Sequence, residues 1–191
     1  MRFDLPPLIW ERRQRKSGNS FYRFWGCLIP VNRAQGCLLG QLAGDALGSL
    51  VEFQSLEEIR RNYPGGVREL ADGGTRSTIA GQPTDDSEMA LLLARILTER
   101  GVYDPDAALR AYQFWLDSDP FDCGMTIATG LRGCPNLDSQ ANEAMMRISP
   151  LGIFGANHPL EAVGDWARRD AALTHPNPVC LQANSLFTMA I

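Results

Sequence analysis

Histidine is scarce in this sequence, two in 191 residues, and neither lies in the H-E-x-x-H spacing of a zinc protease helix. The five cysteines, Cys27, Cys37, Cys123, Cys134 and Cys180, are odd in number and never spaced C-x-x-C. That excludes a zinc ribbon and a fully paired disulfide frame, and it reads as reduced thiols in a cytoplasmic protein. No run is long and apolar enough to span a bilayer. The Arg-rich start lacks both the apolar stretch and the small-residue cleavage site of a secretory signal. A net charge of −4 gives no electrostatic case for a nucleic-acid partner, and no membrane partner is expected either. G-x-S-x-G, a Walker A loop and a Rossmann glycine fingerprint are absent.

What is present suits one globular domain: 45% of the residues are hydrophobic and 21% charged. Residues 1–33 stand apart as a basic, flexible leader, with Arg2, Arg12, Arg13, Arg15, Lys16, Arg23 and Arg33 against only Asp4 and Glu11. From residue 34 the pattern is helical. Gly36, Gly40, Gly44 and Gly48 recur every fourth residue among leucines and alanines. Each glycine costs a helix about 1 kcal/mol, so the spacing predicts a bare ridge against which another helix packs closely, on a central helix. Ser55-Leu56-Glu57-Glu58 is a capping box, and Gly65 to Gly81 reads as a loop. Helical spacing then predicts helices over 84–100 (with Gly101 as its stop), 105–116 and 124–131, and further ones opened by Pro159 and Pro178. No alternating strand pattern appears, so the fold class expected is all-α, an orthogonal multi-helix bundle. The apolar end at Ser185–Ile191 predicts a truncated chain.

Chemistry concentrates in Gly81-Gln82-Pro83-Thr84-Asp85-Asp86-Ser87-Glu88. Thr84 fits an N-cap, and the aspartates complement a helix dipole. The same hydroxyl and carboxylates also suit a hard divalent cation. Spacing alone leaves both open. Asp45, inside the apolar glycine helix, is costly unless it is paired or exposed. Glu52 sits at that helix's C-terminal end, unfavourable for an anion. Asp122 reads as a cap for the helix that follows it, and Arg147 as an ion-pair partner or a phosphate ligand.

The order of these motifs resembles the ADP-ribosylglycohydrolase family, which includes the dinitrogenase reductase-activating glycohydrolases and the ADP-ribosyl-acceptor hydrolases. The residues that carry the resemblance are Gly36–Gly40, Gly44-Asp45-Ala46-Leu47-Gly48 with Val51-Glu52-Phe53, and Pro83-Thr84-Asp85-Asp86-Ser87-Glu88. Asp122-Cys123-Gly124, Met146–Leu151 and Thr174-His175 follow in family order. The resemblance covers about 34–191 and implies an all-α fold around two Mg²⁺ or Mn²⁺ ions. It also implies hydrolysis of an ADP-ribosyl linkage on an ADP-ribosylated substrate. By the same carry-over Thr84, Asp85 and Asp86 are metal ligands, Glu52 is the acid near the scissile bond, and Asp122 lines the metal–ribose pocket. Asn142, Arg147 and His175 would meet the ribose and diphosphate.

Two features depart from the family pattern. Asn142 is followed by Glu143 where the family has glycine, which predicts weaker or altered diphosphate binding. The family's remaining metal ligands belong to a C-terminal Asp-rich motif that does not occur before Ile191, so weak metal binding and little turnover are expected of this chain. The rival expectations are a non-catalytic ADP-ribose-binding or structural relative and, less well supported, a metal phosphohydrolase acting on nucleotides.

Overall fold

The computed structural model describes the backbone of residues 20–191 and the side chains of residues 31–191. Two units are distinguished, Met1–Gln35 and Gly36–Ile191. Residues 1–19 of the expected leader lie outside the described residues; over 20–33 the backbone is helical.

All described regular structure is helical: α1 (Ser20–Gly48), α2 (Leu56–Asn62), α3 (Asp85–Arg100), α4 (Pro105–Leu116), α5 (Met125–Leu131), α6 (Ser149–Gly155), α7 (Leu160–Ala172) and α8 (Pro178–Ala190). The one β-type pairing among the described residues is an isolated bridge between Gly73 and Thr78. The all-α expectation therefore holds. Local punctuation sets the boundaries. Ser55 and Glu58 form the reciprocal capping box of α2, Asp104 caps α4 ahead of Pro105, and Asn177 caps α8 ahead of Pro178. Gly101 ends α3 in the left-handed conformation, its N–H on the Leu97 carbonyl.

The core follows from helical periodicity. Met89, Leu93, Ile96 and Leu97 of α3 meet Ala107, Ala108, Tyr112 and Trp115 of α4, with Ile127, Leu131, Ile148, Leu151 and Ala167 closing the cluster. α3 packs on α4 and α6, and α7 packs on α8 and α6. One close approach bears on the site. At Gly130 a Cβ would lie 2.7 Å from the Thr174 Cα, so the missing side chain lets α5 press on the segment that carries Thr174 and His175.

The glycine ridge is a correction. Among the described residues, a Cβ added at Gly36, Gly40, Gly44 or Gly48 meets nothing within 4 Å. No helix occupies the ridge, and from Gly36 to Gly48 only Ala46 is buried. Gly44 and Gly48 instead border a cavity with room for a Cβ, and Gly36 and Gly40 are exposed. Among the described residues no helix is long and apolar enough to cross a membrane. Cys37, Cys123, Cys134 and Cys180 are free thiols.

Candidate functional site

At the start of α3 the capping role falls to Asp45. Thr84 occupies the N-cap position but makes no side-chain capping hydrogen bond. The Asp45 carboxylate, from α1, takes that role across 39 residues of sequence. It accepts from the Thr84 N–H at 3.0 and 3.2 Å, from the Ser87 N–H at 3.2 Å and from the Ser87 hydroxyl at 2.6 Å. It also accepts the Thr84 hydroxyl proton at 2.7 Å. This satisfies the orphan donors of the first turn and places a negative charge where the helix dipole favours one. The hydroxyl lies closer to Asp45 than to Asp86 Oδ2, which it meets at 3.3 Å, and its lone pairs are left to accept. Asp85 and Asp86 are likewise released from capping. Asp45→Ala is expected to lower stability by about 1–2 kcal/mol and to speed amide exchange at Ser87. Denaturant melts and hydrogen exchange check this, and an unchanged Ser87 rate would contradict it.

The freed side chains face a cavity of about 530 Å³, a size suited to a small organic ligand. Asp45, Glu52, Thr84, Asp85, Asp86, Asp122, Asn142 and Glu143 all line it, with Gly44, Gly48, Phe53, Arg76 and Gly124. Glu88 does not take part; its carboxylate accepts from the Trp115 indole N–H at 2.7 Å and ties α3 to α4. Gln41 braces the floor, donating to the Asp86 and Met146 carbonyls at 3.1 and 2.8 Å and accepting from the Ser149 hydroxyl.

So many carboxylates in one place disfavour their own ionisation. Burial, then the Asp122 and Asp86 charges, pushes Asp85 up to about 7, against the Gly124 N–H that donates to it at 3.2 Å. Asp86 is raised by burial and then by Asp45. Glu52, at the exposed rim, is raised by burial and then by Asp122, with Arg76 opposing. Burial raises Asp122 too, although Arg76 lies 2.5 Å from its Oδ1 and lowers it. Asp122 does not cap the following helix: the N-cap of α5 is Gly124, without a side-chain bond.

Two expected ligand contacts are corrected. Arg147 and His175 are fully buried behind the cavity and do not line it. Arg147 donates to Asp170 Oδ2 at 3.0 Å, to the Asp170 carbonyl at 2.9 Å and to the Thr174 hydroxyl at 3.0 Å, with its guanidinium 4.6 Å from the Tyr112 ring centre. A guanidinium so enclosed is spent on the core, because each N–H turned away from a partner would lose its compensation for burial. Since Arg147 donates to Thr174, the Thr174 proton faces His175 Nδ1 at 2.8 Å, which leaves Nε2–H towards Glu143 Oε2 at 3.3 Å. That last contact is electrostatic, its alignment short of a hydrogen bond. His175 thus reaches the cavity only through Glu143.

Glu143 and Gly124 fit each other. A Cβ at Gly124 would fall on the Glu143 carboxylate, which also accepts from the Ile127 N–H at 3.3 Å. Reasoning from sequence flagged Glu143 as a departure without seeing its anchor, and it passed over Gln41 and Arg76; neither stands in a motif. Asn142 lines the cavity.

Whether the set suits a divalent cation rests on its chemistry. The donors are hard oxygens, a hydroxyl and carboxylates that repel one another. Among the described residues no three carboxylates, imidazoles or thiolates converge on one point, so a closed protein cage is not formed. Mg²⁺ ordinarily takes one or two carboxylates and keeps several waters, and Thr84, Asp85 and Asp86 fit that pattern.

Comparison with known proteins agrees on one family. The sequence model of the ADP-ribosylglycohydrolase family matches residues 29–191. The chain is 36% identical over 157 residues to the ADP-ribosyl-[dinitrogen reductase] glycohydrolase of Rhodospirillum rubrum, covering 78% of this chain and 53% of that protein. It is 30% identical over 162 residues to an ADP-ribosylarginine hydrolase of Pseudomonas putida, covering 76% of this chain and 42% of the relative. A solved structure described as an ADP-ribosylglycohydrolase-related protein complex superposes with a TM-score of 0.72 at 29% identity, over 83% of this chain and 54% of that one. The chain spans about half the length of these relatives.

Proposed function

The chain belongs to the ADP-ribosylglycohydrolase family, and on that premise we propose that its cavity binds the ADP-ribosyl group of a modified protein or small molecule and takes part in the cation-dependent hydrolysis of its linkage. The observation that carries this reading is the release of Thr84, Asp85 and Asp86 from capping by Asp45, which turns three hard oxygen donors to a ligand-sized space. These three would hold Mg²⁺ or Mn²⁺, one ion of the two that the family resemblance implies. When bound, such an ion polarises ribose oxygens and makes a bound water more acidic.

The chain's own residues define the rest. Glu52 and Asp122 bring carboxylates to the cavity, where positive charge developing on the ribose as the linkage breaks would be stabilised. Glu52, held above the usual carboxylate range at the rim, is suited to sit near the leaving group and hand on a proton. Asn142 presents an amide that makes no hydrogen bond to another described side chain and so is available to ribose hydroxyls. Arg147 and His175 act behind the site by fixing Glu143. The four free thiols accord with a cytoplasmic setting.

A substrate panel with arginine-, serine- and small-molecule-linked ADP-ribose, assayed for released ADP-ribose, tests this. With the full-length protein, release is expected with Mg²⁺, to be lost on chelation and to fall at least 100-fold in Asp85→Asn. Equal release by Asp85→Asn and the parent protein would remove the ligand assignment. Saturable ADP-ribose binding without release would favour the non-hydrolysing relative, a reading to which the acidic Glu143 in the cavity gives support.

A further inference from the structure

The lining of the cavity contains five aspartate and glutamate side chains besides Asp45, but only one basic group, Arg76. Its Nη2 lies 2.5 Å from Asp122 Oδ1. The two partners differ in freedom, the Arg76 side chain being 34% exposed and that of Asp122 only 7%. Arg76 therefore leans inward from solvent onto a fixed, buried carboxylate. Its guanidinium also lies 5.9 Å from the ring centre of Phe53, next to Glu52. The loop that carries Arg76 is tied to the same place, since the Thr75 hydroxyl donates to the Glu52 carbonyl at 2.5 Å.

The backbone here is held in costly conformations. Among the described residues three non-glycine positions have positive φ: Phe53 at 61°, Ser77 at 53° and Asp119 at 58°. All three lie within three residues of a member of the Phe53–Arg76–Asp122 group. A bulky residue such as Phe53 adopts that conformation only when its surroundings enforce it, and such strain gathers where a side chain must be aimed. Phe53 nevertheless leaves 75% of its surface exposed, so core packing does not explain the strain.

We propose that Arg76 is the diphosphate-binding and specificity-determining residue of this cavity, and that its hold on Asp122 is exchanged for phosphate oxygens when the ligand binds. This rests on the ADP-ribosyl reading above. A diphosphate entering among carboxylates is repelled by each of them, and its nearest protein cation is Arg76. The planar fork that meets the Asp122 carboxylate matches phosphate oxygens equally well. The loop is tied down at Thr75 while the Arg76 side chain keeps a third of its surface open to solvent, so the exchange needs only a change of rotamer. Arg76 also sets its positive charge against Asp122, the carboxylate whose charge acts on Asp85, and so opposes a divalent cation in the cavity until the ligand draws it away.

Two titrations with full-length protein test the assignment. The first measures ADP-ribose binding by calorimetry in Mg²⁺, with adenosine as the phosphate-free probe. Arg76→Gln is expected to weaken ADP-ribose at least tenfold and to change adenosine less than twofold, with Arg76→Lys between the two proteins. The second follows free Mn²⁺ by electron paramagnetic resonance without nucleotide, and Arg76→Gln is expected to bind Mn²⁺ about three- to tenfold more tightly. If the parent protein binds ADP-ribose and Mn²⁺ and Arg76→Gln is indistinguishable in both, the Arg76 assignment alone is overturned. If the two ligands weaken equally in Arg76→Gln, Arg76 supports the cavity without reading phosphate, and the assignment is again overturned. A parent protein that takes up neither ADP-ribose nor Mn²⁺ overturns the functional reading and the assignment together.

Discussion

Replacing Arg147 by methionine is expected to lower the unfolding free energy by about 3–5 kcal/mol, before any ligand is added. The reason is what the guanidinium leaves behind. Asp170 is fully buried, and without Arg147 its carboxylate keeps only the Tyr112 hydroxyl at 3.1 Å and the Tyr103 hydroxyl at 3.4 Å. Thr174 loses its donor as well, so the chain of contacts that runs through His175 to Glu143 is released at its inner end. Such a loss is a large share of the stability of an ordinary domain, and partial unfolding at 37 °C is the expected outcome. The double substitution Arg147→Met with Asp170→Leu should recover part of the loss, because it removes the uncompensated charge along with its partner. Urea melts of the three proteins measure this. A stable Arg147→Met protein with weakened ADP-ribose binding would instead place Arg147 in contact with ligand.

Asp85→Asn is expected to make the protein more stable in the absence of divalent cations and less responsive to their addition. The Asp85 pKa is raised from the ordinary 3.8 to about 7. Its folded state therefore holds the proton more tightly than the unfolded chain across that window, and the stability it contributes falls as pH rises from about 4 to 7. Above the window the ionised carboxylate is a standing cost. At about 1.4 kcal/mol per pKa unit the penalty at pH 8 is on the order of 4 kcal/mol. Asparagine keeps an acceptor for the Gly124 N–H and carries no charge, so it escapes the penalty. Thermal melts from pH 5 to 8 in chelator should show the parent protein losing stability as pH rises and Asp85→Asn holding level. Added Mg²⁺ should raise the parent protein's midpoint at pH 8 and that of the variant less. Parallel pH profiles would mean that Asp85 is not the strained group.

Much of this was readable before any coordinates, and the gaps have physical causes. Helix ends were legible because their signals are local: Ser55 with Glu58, Asp104 before Pro105, Gly101 after Arg100. Thr84-Asp85-Asp86 was legible only as an ambiguity, since a cap and a ligand set share residue types. Asp45, 39 residues away, takes the capping role, and a carboxylate in an apolar helix was the visible hint that a partner existed. Glycine spacing predicted a packed ridge that does not form: Gly44 and Gly48 border the cavity, Gly36 and Gly40 are exposed, and a Cβ at any of the four would meet nothing. Arg147 and His175 carry polar groups that suit either a ligand or a buried network, and their burial is set by tertiary contacts to Asp170 and Glu143. Arg76 lies in an aperiodic loop, where only three-dimensional proximity to Asp122 and Phe53 gives it meaning.

The central claim is that Asp45 caps α3 so that Thr84, Asp85 and Asp86 are free to hold a cation. Calorimetric titration of Mg²⁺ into the parent protein and Asp85→Asn at pH 8 tests it most directly. Saturable uptake by the parent protein, weakened at least tenfold in Asp85→Asn, is the predicted result. No uptake by the parent protein, or equal uptake by both, would contradict it.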